Sequence, residues 1–327
     1  MAMSNHCKVS IYCTAYNHEK YIRDALDGFL AQDTDFPFEV LVTDDASTDG
    51  TTAILREYQE RYPEVIRFFH QEKNLFSQGI NIYEAVMYPN TRGEYVAYCE
   101  GDDYWSDPSK LRRQVAFLDA HPEYSACVHN SWYHFCEGNK PDELLLPASG
   151  DRDVPFSTII RGMSFCFHTS SIVGRSDWMC HPPDFQRVAF SYGFTDYAIA
   201  LWLSLNGKIR FLDTPMSVYR VNSNPTAWTS GRDGAYDKKI AFVTGEIEMM
   251  KTLLPHLDAQ QRALTEEELL RRNYELLYLT GRVDEMIHPP YDVFYRQEPF
   301  SFRLKTTIKR MFPSLHALYR SRQGYKE

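Results

Sequence analysis

Short apolar runs alternate with amphipathic stretches along the first 125 residues. The apolar runs are rich in β-branched and aromatic residues, which is typical of buried strands, and they cover 9–14, 38–43, 65–69 and 95–99. The stretches between them follow a helical period, which predicts helices over 19–30, 51–61, 80–87 and a segment opened by Pro108. Repeated units of this kind predict an α/β fold, in which helices flank a Rossmann-like, mostly parallel sheet.

The pattern becomes less regular after residue 125. It predicts strands over 124–135, 165–173 and 208–212, a polar loop over 137–153, and a helix over 195–206 that the Asn206-Gly207 pair ends. Residues 234–283 follow a helical pattern, and the polar stretch 222–233 before them is predicted to be a mobile loop. We therefore divide the chain into two halves of one α/β domain, 1–125 and 126–232, and a helical extension, 233–327.

Acidic side chains follow the predicted strands where those strands end. Asp44 and Asp45 come after the second strand, 100–103 (Glu-Gly-Asp-Asp) comes after the fourth, and Asp196 lies near the start of the 195–206 helix. Ligands of α/β proteins bind at the carboxyl ends of strands, and adjacent carboxylates favour a cation between them. The pattern predicts a shared pocket and a Mg²⁺ or Mn²⁺ site at 102–103. An acidic turn at 100–103 and a helix-capping loop at 44–50 remain open as alternatives.

Composition excludes several classes of protein. No run of about 18 apolar residues is present, so no membrane span is expected, and residues 1–8 lack the apolar segment of a signal peptide. The seven cysteines are odd in number and form no C-x-x-C pair, which favours free thiols in the cytoplasm over disulfides or zinc. The net charge of −9 does not suit nucleic-acid binding.

Charge is unevenly distributed along the chain. Residues 301–327 hold seven Lys or Arg and one Glu, a net +6, which leaves −15 for residues 1–300. Apolar residues alternate with these cations, as in segments that lie on anionic membranes, and this would place the protein on the inner face of the cell membrane. A solvated tail and a tail packed on a sister subunit of a homodimer are the alternatives.

Four motifs occur in order along the first part of the chain: the first strand and its loop at 9–19 (VSIYCTAYNHE), the segment 44–51 (DDASTDGT), the Asn and Gly positions within 74–81, and 93–103 (GEYVAYCEGDD). Together they resemble the motifs of family 2 glycosyltransferases. Trp105, Pro108 and Gln114 match the helix that follows in the family. The resemblance is dense over 8–125 and thin over 165–222.

The resemblance implies a GT-A fold and an inverting transfer of a sugar from a nucleotide diphosphate, commonly UDP, to a hydroxyl of a saccharide or lipid-linked glycan. Asp102 and Asp103 would hold the divalent ion, with Asp102 also near the ribose and Asp103 near the sugar. Asp196 matches the general base. The residues that would contact the nucleotide or diphosphate are Thr14, Tyr16, Glu19, Asp45, Asp102 and Arg220.

Two other functional classes stay open at this stage. A sugar-nucleotide nucleotidyltransferase would carry a Gly-rich loop after the first strand, but residues 14–17 read Thr-Ala-Tyr-Asn. A catalytically silent sugar-nucleotide or glycan-binding protein could keep the same fold. The four retained carboxylates at 45, 102, 103 and 196 favour an enzyme over this second alternative.

Overall fold

One mixed sheet of ten strands organises the first part of the chain. The computed structural model describes residues 7–137, 140–162, 166–221 and 236–311. The strands are β1 Val9–Ala15, β2 Phe38–Asp44, β3 Ile66–His70, β4 Tyr95–Tyr98, β5 Tyr104–Trp105, β6 Tyr124–Phe135, β7 Glu143–Leu144, β8 Arg152–Asp153, β9 Val173–Arg175 and β10 Lys208–Val221.

Six of these strands run in the same direction. The order across the sheet is β3-β2-β1-β4-β9-β6-β10-β5, with β1–β4 mutually parallel and β6 parallel to β10. Because β9 is antiparallel to both β4 and β6, the two parallel blocks point the same way. The carboxyl ends of β1, β2, β4 and β10 therefore meet at one edge of the sheet, which we call the carboxyl edge. The predicted mostly parallel α/β sheet is confirmed.

Helices pack around this sheet. They are α1 Ile22–Leu30, α2 Thr51–Arg61, α3 Tyr88–Asn90, α4 Lys110–Ala120, α5 Phe156–Ile159, α6 Ser176–Met179, α7 Asp184–Tyr192 and α8 Thr195–Asn206. The faces that α1, α2 and α4 bury are the apolar stripes that their sequence periodicity indicates, and these stripes meet β-branched residues of β1 and β2 in the main core.

Residues 234–327 form a second compact unit. Its described part is helical, as the sequence predicts, with α9 Tyr236–Leu253, α10 Ala259–Leu279, α11 Val283–Met286, α12 Asp292–Gln297 and α13 Phe300–Met311. Asp258 begins α10 through a capping box with Gln261. Within the described residues, no helix is both long and apolar enough to span a membrane.

The structure corrects several predicted elements. The predicted strand 165–173 is wrong, because Thr169–Ser171 is a 3₁₀ turn and β9 begins only at Val173. The hydroxyl of Ser170 and its N–H both contact the imidazole of His168, and such local bonds compete with strand pairing. The predicted loop 137–153 contains β7 and β8, and β10 continues past its predicted end, with register shifts on both sides of Pro215.

Smaller differences concern element boundaries and position. The predicted helix 80–87 begins later, as a π-helical turn over Tyr83–Met87 that leads into α3, and α7 was not predicted. The predicted loop 222–233 and residues 312–327 of the basic tail lie outside the described residues. The division of the first unit at residue 125 stays a prediction.

A lysine is fully buried beneath the start of α4. Lys110 has no exposed surface, and its Nζ lies 3.9 Å from the ring centroid of Trp105. Within the described part of the chain, Nζ has no hydrogen-bond partner. Burial lowers the pKa of this ammonium to about 7, although the neighbouring thiols of Cys99 and Cys127 act in the opposite direction. The folded protein therefore binds a proton here less strongly than the unfolded chain does.

We predict that Lys110→Met raises the free energy of unfolding at pH 7, and that this gain shrinks as the pH rises to 9. Between about pH 7 and pH 10.5 the unfolded chain keeps the proton on Lys110 that the folded wild type has lost. The stability of the wild type therefore rises with pH across that range. Urea denaturation at several pH values measures the difference. Lys208→Met is the matched control, because Lys208 also lies over an aromatic ring but is exposed. A gain that does not change with pH would contradict the prediction.

Candidate active site

The loops that leave β1 and β2 at the carboxyl edge are bonded to each other. Asn17 adopts a left-handed conformation (φ 58°), its N–H donates to the hydroxyl of Ser47, and its side-chain oxygen accepts the N–H of Thr48. Asn tolerates this backbone region better than most residues because its short polar side chain bonds locally. The segment 44–48 is thereby fixed against the end of β1.

Glu19 and Asp49 extend the same connection. The carboxylate of Glu19 accepts the N–H of Gly50, and the carboxylate of Asp49 accepts the N–H groups of Glu19 and Thr51. Asp49 thus accepts the N–H of Thr51, the first residue of α2, although the N-cap position itself is Gly50, which has no side chain to cap the helix. The carboxylate of Asp44 is likewise occupied locally, by the N–H of Ser47 and the hydroxyl of Thr52. The predicted donor contact of Glu19 stays a prediction beside this structural role.

Asp45 positions a third segment at the edge. It is 6% exposed, and its two carboxylate oxygens accept the N–H groups of Leu75 (2.6 Å) and Phe76 (3.1 Å). The amide of Asn74 donates back to the Asp45 carbonyl. A carboxylate oxygen can accept more than one hydrogen bond, so these contacts leave Asp45 able to accept from a nucleobase as well.

The two predicted base-pocket residues lie beside this segment. Thr14 is half-buried at the end of β1 and its hydroxyl is hydrogen-bonded to Tyr83, while Tyr16 is half-buried in the loop that follows. Thr14, Tyr16 and Asp45 thus come from the ends of β1 and β2, which are direct neighbours in the sheet. Their roles in binding a base stay predictions.

The turn after β4 comes very close to β1. The N–H of Gly101 donates to the Thr14 carbonyl (2.9 Å), and a Cβ at Gly101 would lie 2.7 Å from Cδ1 of Ile22 and 2.9 Å from Nδ1 of His18. Only glycine fits this approach without a shift of the neighbours. The glycine therefore sets where the carboxylates of residues 102 and 103 are placed.

The carboxylates of this turn lie close together, with Asp103 buried and Glu100 and Asp102 half-buried. Asp103 is 2% exposed, and burial followed by the charges of Asp102 and Glu100 raises the pKa of Asp103 well above its usual range. Burial, with the charges of Asp102 and Asp196, raises the pKa of Glu100 to about 7. The charge of Asp196, at the start of α8, thus acts on Glu100 in the turn after β4. That these groups share one pocket stays a prediction.

Two imidazoles lie near these carboxylates. The imidazole of His18 lies 3.8 Å from Asp102, and that of His168 lies 3.9 Å from Asp103. Burial lowers the pKa of His168 to about 4, so this side chain is neutral at pH 7. Among the residues that the structure describes, the buried Oε2 atom of Glu100 has no hydrogen-bond partner. Asp103, which is buried, and Glu100 and Asp102, which are half-buried, offer the oxygen ligands that a hard divalent cation prefers.

Few side chains are available here to hold a metal ion. Among the residues that the structure describes, no group of three or more His, Cys, Asp or Glu side chains is arranged to hold a metal ion alone. Mg²⁺ sites at phosphate-transfer centres commonly use one or two carboxylates, with substrate phosphates and water completing the shell. Asp102 and Asp103 fit that pattern, and Glu100 is near enough to contribute to the local negative charge.

Arg220, at the carboxyl end of β10, holds the same turn from the other side. Its backbone N–H donates to Asp103 (2.8 Å), and its guanidinium donates to the Asp102 carbonyl (2.9 Å) and to the carboxylate of Asp24 on α1. The guanidinium also lies over the rings of Tyr21 and Tyr104. These contacts make Arg220 a positioning residue for the turn. The predicted contact with a diphosphate stays a prediction.

Sequence reasoning missed two members of the site. His18 follows the end of β1 within the 9–19 motif. Its position at the carboxyl end of a predicted strand could have indicated that it belongs to the site. Asp24 lies on α1 and is paired with a residue 196 positions later, a relation that no local pattern reveals.

The family comparison agrees with this geometry. The family described as Glycosyl transferase family 2 matches residues 10–176, which is more than half of the chain. The chain belongs to glycosyltransferase family 2. The resemblance that the four motifs carry is therefore confirmed for the segment that contains β1 to β9.

A mycobacterial relative extends the match beyond this segment. Uncharacterized protein Rv1520 of Mycobacterium tuberculosis (strain ATCC 25618 / H37Rv) is 39% identical over 212 residues, which cover 65% of this chain and 58% of that protein. The chain thus spans less than two thirds of that relative's length.

Solved structures show the same fold. The S. aureus TarS 1-349 structure in complex with UDP-GlcNAc has a TM-score of 0.60 at 21% identity and covers 82% of this chain and 73% of that chain. Mannosyltransferase PcManGT from Pyrobaculum calidifontis, in complex with GDP-Man and Mn²⁺, has a TM-score of 0.52 at 16% identity, with 94% and 85% coverage. The predicted GT-A fold of this family 2 glycosyltransferase is thereby confirmed.

We predict that Arg220→Met lowers the free energy of unfolding by about 1–3 kcal/mol, because it leaves the half-buried Asp102 carbonyl without its charged donor. Chemical denaturation measures the loss. Arg23→Met is the matched control on α1: its ion pair with Glu57 is exposed at both ends and screened by solvent, so we expect a clearly smaller loss. Equal losses for the two variants would show that the contacts of Arg220 do not stabilise the turn.

Proposed function

We propose that this chain is an inverting glycosyltransferase that moves a sugar from a nucleotide diphosphate, with UDP as the first candidate, to a hydroxyl of a saccharide or lipid-linked glycan. The observation that carries the proposal is the placement of Asp102 and Asp103 beside Glu100, whose carboxylate is electrostatically coupled to Asp196 at the start of α8. One site thus offers two separate carboxylate functions, a cation site and a base.

The donor half of the site follows from the carboxyl edge. Thr14, Tyr16 and Asp45 would contact the nucleoside, Glu19 and Arg220 lie along the same edge, and Asp102 and Asp103 would hold Mn²⁺ or Mg²⁺. When bound, the ion would neutralise charge that develops on the departing diphosphate. The protein's own contribution is to fix these groups in advance through the bonds of Asn17, Asp45 and Arg220.

The acceptor half needs a base but no enzyme nucleophile. An inverting displacement forms the new C–O bond on the face opposite the leaving group, so a single carboxylate near the acceptor hydroxyl is sufficient. Asp196 lies in the first turn of α8, where the N–H of Tyr197 donates to its Oδ1 atom. This contact orients the carboxylate, and proton transfer to it would contribute roughly 10²–10⁴-fold to the rate.

The known neighbours support a nucleotide-sugar donor but differ in its identity. The TarS structures contain UDP-GlcNAc or UDP, and the PcManGT structure contains GDP-Man with Mn²⁺. A donor panel for this chain should therefore include UDP-GlcNAc, UDP-glucose and GDP-mannose.

We propose the cytoplasm as the site of action, since the seven thiols are free of disulfides.

We predict that Asp196→Asn lowers the rate of sugar transfer from the accepted donor by about 10²–10⁴-fold, because the amide cannot take the acceptor proton. Donor hydrolysis, in which water replaces the acceptor, is the assay while the acceptor is unidentified. Donor affinity should change little. The matched control is Asp184→Asn, in the first turn of α7, where the carboxylate is exposed and paired only locally with Arg187. Full activity of Asp196→Asn would remove Asp196 from the mechanism.

We predict that Asp103→Asn abolishes the Mn²⁺-dependent part of nucleotide binding, because it removes one of two carboxylates proposed to hold the ion. A thermal-shift titration of UDP with and without Mn²⁺ measures this, since a ligand that binds the folded state raises its stability. Wild type should show a larger shift with Mn²⁺ than without it.

Metal-dependent binding without turnover of any donor would instead indicate a catalytically silent binding protein. Release of diphosphate from a nucleoside triphosphate would indicate a nucleotidyltransferase.

A further inference from the structure

Helix α13 exposes a stripe of large apolar side chains. Phe300, Leu304, Ile308 and Met311 are 73%, 47%, 48% and 66% exposed. Their spacing of three to four residues places them on one face of the helix, one above the other. We call these four residues the α13 stripe. Single exposed apolar residues are ordinary, but a continuous row on one helix marks an interaction surface.

The opposite face of α13 anchors the helix to its own unit. Thr306 is fully buried and its hydroxyl lies 3.1 Å from that of Tyr295 on α12, while the ring of Phe302 packs at 4.9 Å from that of Tyr278 on α10. The rotation of α13 about its axis is therefore set by packing. This rotation is what turns the α13 stripe away from α10 and α12 of the second unit.

Cations flank the α13 stripe on both sides. At 3.6 residues per turn, Lys305 lies on one flank and Arg303 and Arg310 lie on the other. Residues 300–311 contain no Asp or Glu, although residues 1–300 carry a net −15. Arg310 contacts Asp284 (2.6 Å), but both side chains are about half exposed or more, so this pair is weak.

We propose that α13 docks on an anionic membrane, with the α13 stripe in the acyl boundary and the flanking cations at the lipid headgroups. An apolar face bordered by Lys and Arg is the pattern that binds such surfaces. A second copy of the same helix fits less well, because an antiparallel or parallel pairing would bring these cations together. The inference concerns a surface of the second unit and does not depend on the proposed sugar transfer.

Co-sedimentation of the full chain with lipid vesicles tests the proposal. Wild type should bind vesicles that contain phosphatidylglycerol, bind pure phosphatidylcholine much more weakly, and lose binding as salt is raised. The triple variant Phe300→Ser, Leu304→Ser, Ile308→Ser should bind at least about tenfold more weakly, because its apolar surface no longer enters the membrane. Lys305→Glu should weaken binding to anionic vesicles at low salt while leaving the apolar stripe in place.

The matched control is Val293→Ser on α12, which removes an exposed apolar side chain (52%) outside the α13 stripe and should leave binding unchanged. Circular dichroism and thermal unfolding should be the same for all variants, because the substituted side chains are exposed. Equal binding of the triple variant and wild type would overturn the proposal, as would equal binding to anionic and neutral vesicles. A wild-type dimer that the triple variant loses, without vesicle binding, would overturn it in favour of a second copy of the chain.

Discussion

The main constraint on the site is that several carboxylates, which repel one another, lie together at the carboxyl edge of the sheet. Six strands run in the same direction, so the loops after β1, β2 and β4 and the end of β10 reach the same place. Burial and the charges of Glu100 and Asp102 in the turn after β4 raise the pKa of Asp103 well above its usual range, although the charge of Arg220 acts in the opposite direction. Bonds from the rest of the fold hold this cluster in place, and proton binding or a bound cation would lower its cost.

Hydrogen bonds between side chains and backbone groups of different segments hold this cluster in place. Asn17 connects the β1 loop to the β2 loop, Asp45 connects the β2 loop to residues 74–76, and the N–H of Arg220 connects β10 to the β4 turn. In each of these bonds a polar side chain fixes the position of a neighbouring segment. Groups fixed in this way need little reorganisation when a ligand arrives, which is the basis of electrostatic preorganisation.

Local pattern was sufficient for the parts of the fold that depend on short-range physics. The ranges of α2, β6 and α8 agree with their sequence periodicity, since burial, capping and an Asn-Gly stop act within a few residues. The prediction failed at 165–173, where bonds between His168 and Ser170 replace a strand, and it had no access to the Asp24–Arg220 contact. The site residues could be proposed because family motifs mark strand ends, whereas the partners that position them are distant in sequence.

Arg220 shows how one residue combines two separable tasks. Its hydrogen bond to Asp103 comes from the backbone N–H, which every residue except proline would supply at this position. Its guanidinium carries five N–H donors and bonds the Asp102 carbonyl and the Asp24 carboxylate. The contact of Arg220 with a diphosphate stays a prediction, and five donors would be enough to make it while the side chain holds the turn. Positioning the carboxylates and binding a donor are therefore compatible roles for this one arginine.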